Sequence, residues 1–251
     1  MKKTEPTESA RPSQSPRASQ PTQLTLGIRL DDEARFDNFY ISAANRASLE
    51  SLSANSAAEP YTYLFGADGC GRTHLLQALC HAASQTGQTA LYLPLAAREQ
   101  FGPEILQGAH QLHLVTIDDL PLLAADARWE NALFTAFNLM KESGTRLVVT
   151  APFAPRQLPV QLPDLKSRLN SGLVFQIQGL DDDDKRAMLQ LRAEQRGMKL
   201  PDEVANYILR HAQRDMHALI QTLDQLDAGS LTHKRKLTIP LVKATLAEGA
   251  N

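Results

Sequence analysis

Gly66, Gly71, Arg72 and Thr73, in FGADGCGRTHLL (65–76), keep the spacing of the phosphate-binding pattern G-x-x-x-x-G-K-[ST], with arginine in the lysine's place. The chemistry of such a loop is anion capture. Gly69 and Gly71 allow the backbone to approach a polyphosphate closely, and N–H groups at the start of the following helix supply the donors. The Thr73 hydroxyl would be a ligand for Mg²⁺. A second constellation, LVTIDDL (114–120), ends an apolar run with Asp118 and Asp119. A strand-terminal carboxylate beside a phosphate loop holds Mg²⁺, and its neighbour orients water. The plainer readings are a Gly-rich strand-to-helix turn and a solvated pair of acids. Arg72 is not a conservative replacement, because guanidinium is a wide planar fork whereas lysine offers a compact point charge.

These residues need strands that end at one edge and a helix that begins there. YTYLF (61–65) reads as a strand feeding the glycine loop, and THLLQALCHAAS (73–84) as the helix leaving it. Further strands are expected at 89–93, 112–117, 146–150 and 173–177, with a helix over ARWENALFTAFNLMKES between the third and fourth. Strands alternating with helices imply an α/β fold with a five-stranded parallel sheet covered on both faces. Beyond Asp181 the strand signals stop. Four amphipathic stretches, opening with Pro or Asp and in three cases closing with Gly, predict a small helical domain. The expected organisation is a disordered, Pro- and Ser-rich tail at 1–22, a short segment at 23–30, an α/β domain at 31–178 and a helical domain at 179–251.

Composition narrows the function. A chain of 251 residues, 43% apolar, can bury one sizeable core with a small second domain. A net charge of −2 gives no support to a bulk nucleic-acid binder. No apolar run approaches the ~20 residues of a membrane span, and the N-terminus lacks the apolar stretch of a secretory signal. The cytoplasm is therefore the expected compartment. Cys70 and Cys80 are the only cysteines and read as free thiols. His74, His81, His110 and His113 lack the spacing of a zinc site.

FDNFYISAANRASLESL, GADGCGRTHLLQAL, LVTIDDL, LPDLKSRL and QRDMHALIQTLDQLD occur in the order and contexts of the DnaA-type AAA+ ATPases, which the sequence resembles over roughly residues 24–248. That resemblance implies an AAA+ domain with a helical lid. It implies that Asp68, Gly69, Cys70, Gly71, Arg72, Thr73 and His74 wrap the phosphates, with Phe39 and Tyr40 near the base. It places Asp118 with Thr73 on Mg²⁺, Asp119 on water, Thr150 as the first sensor and Arg214 as the lid's sensor arginine. Arg168 matches the arginine that reaches a neighbour's nucleotide, whereas read without the family it is an exposed salt-bridge partner.

A regulatory branch of this family also carries arginine at the position of Arg72, and the resemblance to it implies a working state that holds ADP or another nucleoside diphosphate. The function so implied is inactivation of the DnaA initiator, by stimulating in trans the hydrolysis of initiator-bound ATP, with little turnover in the protein's own site. QLTL (23–26) resembles the peptide by which replication proteins dock to the DNA sliding clamp, with Gln23, Leu24 and Leu26 as anchors; the alternative is a first edge strand. Initiators carry a further helix-turn-helix module, for which no counterpart follows the lid in this sequence. DNA is thus expected to be met mainly through partners. A monomer and a homodimer are both compatible with the sequence. Rival readings are a DNA-binding initiator paralogue, a helicase loader, and an autonomous P-loop ATPase or nucleotide kinase.

Overall fold

A computed structural model describes residues 29–53, 60–212, 215–229 and 237–248. Gln23, Leu24, Leu26, Arg214 and the tail at 1–22 lie outside the described residues. Five parallel strands, β1 (Tyr61–Phe65), β2 (Ala90–Pro94), β3 (Leu114–Asp118), β4 (Arg146–Ala151) and β5 (Leu173–Gln176), form one sheet in the order β2-β3-β4-β1-β5. The inner strands are apolar because both sheet faces are covered. Their side chains divide by the two-residue period of a strand. Tyr61 and Tyr63 of β1, Val115 and Ile117 of β3, and Leu147 and Val149 of β4 enter one core, together with Trp129, Leu133 and Phe137. Leu64, Leu114 and Val148 enter the opposite core, against Leu75, Leu76 and Leu79.

Helix α1 (Arg46–Ser53) precedes the sheet, α2 (Arg72–Gln85) follows β1, α3 (Ala127–Ser143) lies between β3 and β4, and the short α4 (Pro163–Leu169) precedes β5. Asp126 caps α3 by accepting from the Arg128 N–H at 3.0 Å, and Gly144 ends the helix in the left-handed conformation. Both sheet and α3 follow the sequence expectation. Helix α1 and several 3-10 turns add to it.

The helical domain comprises α5 (Asp182–Gln195), α6 (Asp202–His211), α7 (Met216–Gly229) and α8 (Ile239–Glu248) around a separate core of Leu189, Ile208, Leu223 and neighbours. A strap ahead of α1 joins the two domains. The Asp31 N–H donates to Gln77 Oε1 at 2.7 Å, and His74 and His81 donate through Nε2 to the carbonyls of Arg35 and Asp31 at 2.8 and 2.9 Å. On the lid side, Arg192 pairs with Glu33 at 3.1 Å and Gln195 donates to the Asp37 carbonyl at 2.9 Å. The strap thus ties the phosphate-loop helix to α5. No helix among the described residues is long and apolar enough to cross a membrane.

Candidate nucleotide site

The glycine loop, the paired acids and Thr150 meet because β1, β3 and β4 run parallel and end at the same edge of the sheet. Ligand crevices of open α/β sheets lie at these carboxyl ends. Two glycines are compelled by approach. A Cβ on Gly66 would stand 2.2 Å from the Ile177 carbonyl oxygen, and one on Gly71, at φ +97°, would stand 2.6 Å from Phe39 Cε2. Phe39 therefore covers the loop, and its ring lies 5.4 Å from that of His74. Loop and lid enclose a cleft of about 320 Å³ lined by Phe39, Tyr40, Gly69–His74, Met188, Arg192 and Met216, among others. Tyr40 turns towards the lid, where its hydroxyl donates to Asp184 at 3.3 Å. Burial and the nearby Asp184 raise the Tyr40 pKa.

Asp118 is only 4% exposed and is the hub of the acids. Its carboxylate accepts from Thr73 Oγ1 at 2.7 Å, from the Tyr92 hydroxyl at 3.1 Å and from Thr150 Oγ1. All three donors are neutral, and among the described residues no lysine or arginine forms an ion pair with Asp118. A buried carboxylate whose charge is left uncompensated, joined to a threonine hydroxyl at a helix start, is a hard-oxygen pair suited to Mg²⁺. Asp119 occupies the left-handed region at φ 55° and ψ 54°, held there by its own N–H donating to Thr150 Oγ1 at 3.0 Å. Burial raises its carboxyl pKa, Asp118 raises it further, and Arg72 opposes both.

Arg72 is 8% exposed and its guanidinium is turned back into the protein. Nη1 donates to the Gly66 carbonyl at 2.9 Å, while Nη2 donates to Asp68 at 3.0 Å and lies 3.6 Å from Asp119. The family resemblance expects this residue at the phosphates; here its guanidinium lines the cleft and meets three acceptors, Gly66 and Asp68 in the loop and Asp119 just after β3. Cys70 and Cys80 are free and buried, and burial pushes the Cys80 thiol up to about 11.

Arg168 lies apart from the cleft, in the last turn of α4. It is partly exposed and, among the described residues, forms no ion pair. Besides Tyr92, which donates to Asp118, sequence reasoning missed two charged residues. Arg192, 4% exposed, closes the cleft from α5. Glu130, 2% exposed, is a carboxylate on the buried stripe of α3; a charge falling among Trp129, Leu133 and Phe137 at helical spacing is the signal that marks it.

A parallel sheet with a phosphate loop after β1, acids after β3 and a helical lid over the cleft defines an AAA+ domain. The family model described as the bacterial DnaA ATPase domain matches residues 30–176, and that described as Hda, lid domain, matches 182–246. The chain belongs to the bacterial DnaA ATPase family and is Hda-like in its lid. Together these matches support a DnaA-related replication regulator.

Solved structures agree in fold. Domain III of the Thermotoga maritima replication initiation protein DnaA superposes with a TM-score of 0.72 at 21% identity, over 88% of this chain and 98% of that one. AMPPCP-bound DnaA from Aquifex aeolicus gives 0.68 at 20%, over 80% and 67%. A DnaA bound to AMPPCP and single-stranded DNA gives 0.66 at 21%, over 78% and 65%. The chain thus spans nearly all of the isolated domain and about two thirds of the longer initiators.

Proposed function

We propose that this protein inactivates the DnaA initiator in trans, lending Arg168 to ATP bound by the initiator while its own cleft holds ADP or a related nucleoside diphosphate. The observation that carries this reading is the contrast between its arginines. Arg72 is engaged within its own domain by Gly66 and Asp68 of the loop and by Asp119 after β3, whereas Arg168 stands on α4 without an ionic partner among the described residues.

The loop N–H groups and Phe39 would bind the nucleotide, and the strap holds Phe39 over Gly71. Thr73 and Asp118 would hold Mg²⁺, which screens phosphate charge when bound. Asp119 is tethered through Thr150 and lies 3.6 Å from Arg72, a guanidinium that would compete with a water for its carboxylate. Little intrinsic turnover follows. Arg168 would act where charge develops on a neighbour's γ-phosphate; an arginine so supplied accelerates other nucleotide hydrolases by ~10³ to 10⁵. Gln23, Leu24 and Leu26 are proposed as the sliding-clamp anchor, Arg214 as the lid's sensor, and contact with DNA as mainly indirect.

The test uses the complete chain, initiator carrying γ-labelled ATP, and clamp loaded on DNA. Accelerated phosphate release that requires clamp and is lost in Gln23→Ala/Leu24→Ala supports the reading. No acceleration refutes it. Rapid turnover by this protein alone, lost in Asp119→Ala, would replace it with an autonomous ATPase.

A further inference from the structure

The helix that carries Arg168 has only two turns, and no side chain of its own caps its start. Leu162, at its N-cap, provides no side-chain hydrogen bond, and Pro163 opens the first turn. Glu130, reaching across from α3, fills that gap. Its Oε1 accepts from the Gln161 N–H at 3.0 Å and from the Ala125 N–H at 2.9 Å; its Oε2 accepts from Gln161 at 3.1 Å and from Leu162 at 2.7 Å. At the other end of α4, the buried Tyr61 hydroxyl donates to the Leu169 carbonyl at 3.1 Å.

We infer that Glu130 is the positioning residue for Arg168: its buried carboxylate fixes the entry to α4 and thereby the angle at which the guanidinium is presented to a partner's nucleotide. This rests on the function proposed above. Three physical arguments support it. A carboxylate left only 2% exposed costs free energy unless its acceptor capacity is filled, and here backbone N–H groups fill it. Negative charge at the start of α4 matches the positive end of the helix dipole. The lever is also short: seven residues span about 10 Å, so a tilt of roughly 6° displaces the far end by about 1 Å, and misplacement by that much can cost on the order of 10²-fold in rate.

The same carboxylate grips Ala125, a non-glycine residue at φ 67° in the connection between Asp119 and α3. Leu165 and Leu169 anchor α4 by burial, but apolar contact is non-directional and the hydrogen bonds from Glu130 are not. The carboxylate therefore sets orientation, and burial sets attachment.

The experiment compares Glu130→Gln, Arg168→Ala and the double variant in clamp-dependent hydrolysis of initiator-bound ATP, together with ADP affinity and amide hydrogen exchange at Gln161 and Leu162. The carboxamide introduced by Glu130→Gln offers one oxygen acceptor where the carboxylate offers two. We expect a five- to tenfold loss of stimulation, ADP affinity within twofold, faster exchange at the two amides, and no further loss when Glu130→Gln is added to Arg168→Ala. The same fold loss with and without Arg168 would overturn the inference, since a general structural defect acts in both backgrounds. Unchanged stimulation in Glu130→Gln, with Arg168→Ala defective, overturns this inference alone. Equal rates for Arg168→Ala and the unsubstituted protein overturn the proposed function and this inference together. If Glu130→Gln does not fold, Glu130→Asp, which keeps the charge but withdraws it by one methylene, carries the same expectation at smaller size.

Discussion

Arg72 and Arg168 sit in one domain and have opposite surroundings. Arg72 begins α2, is almost wholly buried, and meets a carbonyl and two carboxylates contributed by its own loop and by the end of β3. Arg168 ends α4, is partly exposed, and meets no carboxylate among the described residues, although its helix is tied at both ends. Buried guanidinium is retained where partners compensate its charge. A guanidinium on a fixed helix without such partners keeps its charge for whatever docks. Under the proposed function, these two arginines serve two different nucleotides.

The largest expected effect breaks that contrast from the Arg168 side. Arg168→Ala is expected to lower stimulated hydrolysis at least tenfold, about 1.4 kcal/mol of barrier, and by up to ~10³ if no other cation substitutes. Its own ADP affinity, measured by calorimetry, should stay within twofold. From the cleft side, ADP at about 100 times its dissociation constant should raise stability by ~2.7 kcal/mol, read as a shift in the thermal midpoint. A midpoint indifferent to ADP and Mg²⁺ would remove the nucleotide from the account.

Gly71→Val should weaken ADP binding about tenfold or more. A β-branched residue at φ +97° is strained by roughly 1–2 kcal/mol, and its Cβ collides with Phe39. Retained affinity in that variant would show that Phe39 yields and does not cover the loop. The smallest effect distinguishes loop from core through the two thiols. Burial raises both thiol pKa values, that of Cys80 to about 11, so at pH 8 about one Cys80 in 10³ is thiolate. Alkylation should be slow at both in the native protein, should quicken for Cys80 by about tenfold per pH unit above pH 8 and level off near pH 11, and should slow further at Cys70 when ADP is added. Cys70 alkylation unaffected by ADP would argue against ligand at the loop.

Much of this was legible in the sequence because it is local. The strand-loop-helix order around Gly66–Thr73, the acids ending β3, and α3 from its Asp126 cap to Gly144 depend on periodicity and punctuation within short windows. What was not legible depends on long-range approach. The turning back of Arg72 needs Asp119 beside the loop, which follows from the pairing of β3 with β4 and of β4 with β1. The strap's bonds join residues 31–40 to α5, more than 140 positions away. Glu130 reaches Gln161 and Leu162 across some 30 residues, and only its place on an apolar stripe hinted at a role. Arg192 carried no local signal, since a basic residue in the last turn of a helix is ordinary.

The central claim is that the arginine in the loop and the arginine on α4 serve different nucleotides. Single-turnover hydrolysis of labelled ATP on the initiator, with clamp loaded on DNA, tests it most directly when Arg72→Lys and Arg168→Ala are compared with the unsubstituted protein at equal ADP occupancy. The account predicts that Arg72→Lys keeps the stimulated rate within about twofold and Arg168→Ala loses at least a factor of ten. A stimulated rate that collapses in Arg72→Lys and survives in Arg168→Ala would contradict it.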